Sequence, residues 1–181
     1  MNKIHLIIVL VFLALACSPK NEIGRVEERN NTTIFLVRHA EKVDDGSEDP
    51  PLTEMGIERA QFLKDMLSAL DIDAIYSTPF QRNINTVKPL AESQDIEIIE
   101  YDQKHNLVSF ITKIKEKHAG DRVLICGHST TIPDMLNILI GDNQYENLQD
   151  ENYNDLFLVY VPDKGKVEVI NLKFEPLTIF K

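Results

Sequence analysis

The chain has 181 residues, enough for one domain with a real core, and its 43% hydrophobic and 27% charged content is that of an ordinary globular protein. Its formal net charge of −10, from 29 acidic against 19 basic side chains, repels phosphate backbones and excludes nucleic acid as a natural partner. A small anionic substrate is not excluded, because its pocket needs only a few well-placed cations.

Residues 1–16 read as a targeting segment rather than as part of the fold. Lys3 precedes an apolar run, Ile4 to Ala16, that is shorter than the roughly 20 residues needed to span a bilayer. Ala14-Leu15-Ala16 fits the small-x-small pattern of an ordinary signal peptide, while Ala16-Cys17 resembles the lipobox of bacterial lipoproteins, with Ala14 where a larger aliphatic residue is usual. Both patterns cut after Ala16 and leave Cys17 first, and a lone cysteine at that junction points to lipidation of Cys17. The chain is therefore expected to be exported to the cell envelope and to meet a membrane only through that lipid anchor. The second cysteine, Cys126, lies in the apolar run Val123-Leu124-Ile125-Cys126 and is expected to be a buried small hydrophobe. A Cys17–Cys126 disulfide would require the N-terminus to be buried. Residues 17–31 have only Ile23 and Val26 as aliphatics and read as a flexible tether reaching roughly 20 Å. The folded domain is then 32–181.

Ile34-Phe35-Leu36-Val37 is a buried strand that ends abruptly in Arg38-His39 and dissolves into the acidic loop Asp44 to Pro51. Thr53 is the expected N-cap of a helix whose apolar face is Ala60, Leu63, Leu67 and Leu70; Gly56, early in it, suggests close backbone approach. Ala74 to Ser77 is a short strand. Pro79 suits the first turn of the next helix, which buries Ile84, Val87 and Leu90 and carries Pro89 as a kink or a stop. Ile96 to Ile99 is a third strand, and Leu107, Phe110, Ile111 and Ile114 line a third helix stopped by Gly120. Arg122 to Cys126 is nearly all apolar, hence a central strand. It runs into Gly127-His128-Ser129-Thr130-Thr131, where one of the three hydroxyl residues caps a fourth helix. Two last strands, Leu156 to Val161 and Lys166 to Leu172, flank Pro162-Asp163-Lys164-Gly165 as a hairpin. Strands alternating with helices predict a three-layer α/β/α sandwich with a mostly parallel sheet and a C-terminal antiparallel hairpin.

In such a sheet the carboxyl ends of the parallel strands share one edge, where ligands collect. Arg38 and His39 follow the first strand, Arg82 opens the helix after the second, and His128 follows the fourth. His105 and His118 bracket the third helix and are expected at the surface. Two arginines and two imidazoles suit a phosphoryl group better than a metal. Guanidinium forks match its oxygens and stay charged, and a neutral imidazole can attack phosphorus to form a covalent phosphohistidine. His39-Ala40-Glu41 is no helical zinc motif, and no cysteine pattern for a metal exists. The helix start at Ser129 adds backbone donors and a positive dipole end.

Four segments, Arg38-His39-Ala40-Glu41-Lys42, Pro51-Leu52-Thr53-Glu54-x-Gly56, Tyr76-Ser77-Thr78-Pro79-x-x-Arg82 and Gly127-His128-Ser129, together resemble the histidine phosphatase superfamily, the phosphoglycerate mutase-like fold, over about Ile34 to Leu172. The resemblance implies a metal-independent phosphatase without a cofactor, acting on a small phosphorylated substrate. His39 would be its nucleophile, and Arg38, Arg82 and His128, with Ser129, its phosphate pocket. Glu41 and Lys42 shape the loop; Ser77 either orients phosphate or caps the helix. The proton donor departs from the pattern of the acid phosphatase branch, since Ser129 rather than aspartate follows His128. Glu100 and Asp102, after the third strand, are candidates, as are Asp44 and Asp45. No insertion is long enough to form a capping domain, which predicts an open pocket and most resembles the small branch that includes bacterial phosphohistidine phosphatases. A non-catalytic phospholigand-binding lipoprotein and a mutase are the alternative functions.

Overall fold

The computed structural model describes residues 31–104 and 106–175; the targeting segment, the tether up to residue 30 with Cys17, and His105 lie outside them. Six strands form one sheet in the order β3-β2-β4-β1-β5-β6: β1 (Thr32–Arg38), β2 (Ala74–Ser77), β3 (Ile98–Glu100), β4 (Arg122–Gly127), β5 (Asp155–Val161) and β6 (Glu168–Lys173). The first four are parallel, and β5 and β6 add antiparallel as a hairpin on the far side of β1. Between them run α1 (Glu54–Leu67), α2 (Gln81–Gln94), α3 (Leu107–Lys117) and α4 (Thr131–Ile140).

Both faces of the sheet are covered, which explains why the central strands are apolar at every position rather than at alternate ones. Ile34 and Leu36 of β1, with Val123 and Ile125 of β4, pack against α3 and α4 through Ile111, Ile114, Met135 and Leu136. Their neighbours Phe35, Val37, Leu124 and Cys126 pack on the other face against α1 and α2 through Leu63, Leu67, Val87 and Leu90. The three-layer sandwich is thus formed, with Cys126 a free and fully buried thiol. Burial pushes that thiol up to about 12, so it stays protonated.

Three local expectations are corrected and one is refined. Pro79 lies before α2, not in its first turn; Phe80 is the N-cap, and Pro89 sits inside a helix that continues to Gln94. β3 begins two residues late, because Asp95 takes a left-handed conformation (φ 56°) and the Ile96 amide turns back to the Ala91 carbonyl, which spends Ile96 on the helix cap. Of the three hydroxyl residues Thr130 is indeed the N-cap of α4, but its side chain makes no cap bond, and Thr131 Oγ1 accepts the His128 amide. His118 is not at the surface. It is 6% exposed, its Nδ1–H donating to Asp121 (2.9 Å) and its Nε2 meeting the Tyr76 hydroxyl (2.9 Å), a polar group satisfied at the end of the sheet remote from His39.

Candidate active site

The register places the strand ends side by side: Arg38 pairs with Gly127 and Cys126 with Ser77. The residues just beyond each strand therefore converge at one edge. The His39 amide donates to the Gly127 carbonyl (3.0 Å), and the His39 and His128 rings lie 5.5 Å apart, edge to face. Gly127 between them has no room for a side chain: a Cβ there would lie 2.7 Å from Thr131 Oγ1 and 2.9 Å from Ile132 Cδ1.

The geometry fixes the His39 tautomer. Its Nδ1 is 2.9 Å from the Ala40 carbonyl, and a carbonyl only accepts, so Nδ1 carries the proton and the lone pair is on Nε2. Burial, aided by the charges of Arg38 and Arg82, holds His39 down at about 3 and His128 at about 4. Both imidazoles are neutral at physiological pH. His128 Nε2 meets Thr78 Oγ1 at 3.0 Å, and its ring stands edge-on to Phe80 at 5.4 Å.

Arg38 is held by backbone. Its Nη1 donates to the carbonyls of Gln149, Asp150 and Asn152 (2.9, 3.0 and 3.1 Å), and its guanidinium lies 4.3 Å over the Tyr153 ring. Arg82 lies 4.3 Å over Phe80, with Nη1 3.4 Å from Asp49 Oδ1. Among the described residues the Nε atoms of both arginines are buried donors without an acceptor. Burial lowers the pKa of each, opposed by carboxylates nearby, and each remains a cation. Two unsatisfied guanidinium donors beside a neutral imidazole with a free lone pair form an anion site with a nucleophile in it.

Second contacts aim these groups. Asn83 Nδ2 donates to the Gly127 carbonyl (2.8 Å), and Thr86 Oγ1 accepts the Ala40 amide (2.9 Å) while donating to the Arg82 carbonyl (2.7 Å). One turn of α2 thus ties Arg82 to the residues around both histidines. Glu41 is committed to structure: Arg59 grips its carboxylate through Nε and Nη2 (2.7 to 3.0 Å) and reaches on to the Phe174 carbonyl (2.8 Å). Lys42 bridges Leu52 and closes the loop 43–51. Ser77 does not cap α2, whose N-cap is Phe80; its buried hydroxyl donates to the Thr78 carbonyl at 2.9 Å.

Asp49, which no sequence motif marks, caps α2 by accepting the Gln81 amide (3.0 Å). Asp45 instead accepts the Ser47 amide in its own exposed turn. Glu100 ends the edge strand, one strand beyond Ser77, and is exposed; Asp102 follows and accepts the Lys104 amide (2.8 Å). Half-buried Ser129 receives the Leu148 amide on its carbonyl (2.9 Å), fastening the loop 142–154 beside His128. The site is not open. His39 is 4% and Arg38 5% exposed, because Tyr153 and the carbonyls of 149–152 close over them in place of a capping domain.

Residues 34–107 match the model of the histidine phosphatase superfamily (branch 1). Over those residues the chain is similar to the histidine phosphatases, and its fold is of the same kind. It is 33% identical over 100 residues to phosphoserine phosphatase 1 of Hydrogenobacter thermophilus, covering 49% of this chain and 47% of that protein. The chain thus spans about half the length of the curated relative it matches. In fold it is similar to the protein histidine phosphatase SixA, solved with tungstate (TM-score 0.65, 16% identity, 80% of this chain and 97% of that one). It is similar also to a phosphoserine phosphatase of Entamoeba histolytica solved with phosphoserine (TM-score 0.62, 14% identity, 82% and 98%).

Proposed function

We propose that the chain is an exported phosphomonoesterase that hydrolyses small phosphate esters through a phosphohistidine on His39. The observation that carries the reading is the neutral His39 ring, its Nδ1–H fixed on the Ala40 carbonyl and its lone pair on Nε2, between two arginines with unsatisfied buried donors. In the first step Nε2 forms a bond to phosphorus as the ester P–O bond breaks, and the leaving oxygen takes a proton. In the second, water attacks phosphorus, the N–P bond breaks, and inorganic phosphate leaves with His39 restored. Arg38, Arg82 and His128 stabilise the charge on the transferring oxygens, with the α4 start at Ser129 beside them. Glu100 and Asp102, on the same sheet edge, are the proposed proton donors. The reading needs no metal and no cofactor.

The proposed address is the cell envelope: residues 1–16 act as signal peptide, Cys17 is lipidated, and 17–31 tether the domain 32–181. The Lys3 start, the apolar run and the Ala16-Cys17 junction support it. Turnover of p-nitrophenyl phosphate by the full chain in excess chelator, lost in His39→Ala, is the test of the chemistry; rates that survive His39→Ala remove the nucleophile. Phosphoserine and a phosphohistidine peptide head the substrate panel, and mass spectrometry of the acid-labile phosphopeptide locates the intermediate. Release of Cys17→Ser from membranes, with the native chain retained there, tests the anchor.

A further inference from the structure

Resting on the phosphatase reading, we infer that Thr78 is a positioning residue: its hydroxyl donates to His128 Nε2 and so keeps the His128 proton on Nδ1, as the donor to a transferring oxygen. β2 ends at Ser77, opposite Cys126 of β4, so Thr78 and His128 stand just past neighbouring strand ends. Thr78 is fully buried, and its Oγ1 lies 3.0 Å from His128 Nε2, its one side-chain hydrogen-bond partner among the described residues. A hydroxyl can give or take, but shut away from water it must place its own hydrogen. If Nε2 carried the ring proton, Thr78 would accept it and leave that hydrogen buried without an acceptor. Such a penalty shifts the tautomer equilibrium by about tenfold or more. With the lone pair on Nε2 the hydroxyl is satisfied, and the neutral ring is protonated on Nδ1.

Nδ1 is then the nitrogen left for substrate. It has no hydrogen-bond partner among the described residues and is not one of the polar atoms sealed from solvent there. The backbone of His128 is fixed as well, its amide on Thr131 Oγ1 (2.9 Å) and its carbonyl on the Ile132 amide (3.1 Å), while Phe80 stands edge-on to the ring at 5.4 Å. Burial and the two arginines hold the imidazole neutral, so the place of this single proton decides whether the ring donates or repels. Two like rings 5.5 Å apart are thereby given different tasks. The Ala40 carbonyl makes His39 offer a lone pair on Nε2, and the Thr78 hydroxyl makes His128 offer an N–H on Nδ1. A hydrogen bond from that N–H to a charged phosphoryl oxygen is worth about tenfold to a hundredfold.

The test uses the full chain with isotope-labelled imidazole nitrogens at neutral pH. Long-range proton–nitrogen NMR spectra, with His128→Gln to assign the ring, are expected to show Nδ1 protonated and Nε2 bare. Thr78→Val keeps the side-chain shape and loses the hydroxyl. In it the Nδ1–H form no longer dominates, kcat for p-nitrophenyl phosphate falls about tenfold or more, and inorganic phosphate inhibits correspondingly more weakly. Thr78→Ser keeps the hydroxyl and restores the tautomer and most of kcat. A packing role alone gives the reverse order, valine near native and serine impaired, and that pattern overturns the inference. A native His128 protonated on Nε2 overturns it too, while p-nitrophenyl phosphate turnover leaves the phosphatase standing. Absence of turnover by the native chain overturns the phosphatase reading and the inference with it. If Thr78→Val does not fold, the native spectrum decides alone.

Discussion

Replacing Gly56 by alanine sets helix propensity against packing, and the structure says which wins. Gly56 is the third residue of α1, its amide donating to Thr53 Oγ1 at 3.1 Å. Alanine is favoured over glycine in a helix by about 1 kcal/mol, so sequence propensity alone expects a more stable protein. A Cβ on Gly56, however, would lie 2.3 Å from the Glu41 carbonyl oxygen and 3.2 Å from the Glu41 carbon and nitrogen. Backbone must therefore retreat by about 1 Å to reach van der Waals distance, and overpacking of that kind costs about 1–3 kcal/mol. The same carbonyl accepts the Thr53 amide at 2.9 Å, so moving it also strains a hydrogen bond worth about 1 kcal/mol. The net is a loss of about 1–3 kcal/mol, or a Tm lower by about 3–10 °C for a chain of this size.

The displacement reaches the chemistry as well. Glu41 follows Ala40, whose carbonyl holds His39 Nδ1 and whose amide is held by Thr86. A shift of that peptide tilts the imidazole, and an error approaching 1 Å at a reacting group costs up to about a hundredfold. Scanning calorimetry gives the Tm, and p-nitrophenyl phosphate kinetics well below it give kcat. A variant at least as stable as the native chain, with unchanged kcat, would refute the reasoning, since it would mean that the Glu41 carbonyl yields freely.

Three further outcomes are expected. His39 and His128 have folded values near 3 and 4, below the ordinary 6.5, so the unfolded chain takes up protons first as pH falls. Stability is then full above about pH 7 and is lost from about 6.5 downward, by about 1.4 kcal/mol per pH unit for each imidazole that must charge; ring resonances in NMR that titrate near 6.5 would contradict this. Arg59→Met leaves the Glu41 carboxylate without its partner in a pair whose side chains are 9% and 15% exposed, and should cost about 3–5 kcal/mol in urea unfolding. Glu92→Ala in the exposed Lys88 pair should cost under about 0.5 kcal/mol, and equal losses would sink the burial argument. Tyr153→Leu removes the ring under Arg38, an interaction of about 0.5–2 kcal/mol, and should weaken competitive inhibition by inorganic phosphate about two- to thirtyfold; unchanged inhibition would show that the three carbonyls alone hold the guanidinium.

The strands and the positions of Arg38, His39, Arg82 and His128 were legible because both follow from local pattern. Apolar runs bounded by polar residues mark buried strands, and parallel strands bring their carboxyl ends to one edge whatever the distance in sequence. What was not legible depends on where chain returns from far away. Gln149, Asp150 and Asn152 serve Arg38 through carbonyls, which any residue type supplies, so no side-chain pattern announces them. Asp49 resembles Asp44 and Asp45 in an acidic loop until the Lys42–Leu52 bridge folds that loop onto α2. His118 follows Lys117 at a helix end and reads as solvated, yet the turn at Gly120 carries it under Tyr76. An absent capping domain foretold an open pocket, but loop closure needs only a few residues, and Tyr153 suffices.

The way Arg38 is held bears on what the site can do. A guanidinium fixed by buried carboxylates would have its charge cancelled before substrate arrived. Here three neutral carbonyls and an aromatic face orient it, and the nearest carboxylate, on Asp150, is almost fully in water, where its field is weak. The charge is kept for an incoming anion. That support depends on the C-terminal hairpin. Buried Asp155, at the start of β5, accepts from Asn171 Nδ2 (2.8 Å) and pairs with Lys173, while also receiving Asn152 Nδ2. Asn152 in turn gives Arg38 one of its carbonyls. The sequence match to the histidine phosphatases ends at residue 107, yet the site needs His128, the loop through Tyr153 and the hairpin that anchors it. In the proposed phosphatase, then, the grip on phosphate depends on the part of the chain beyond the match.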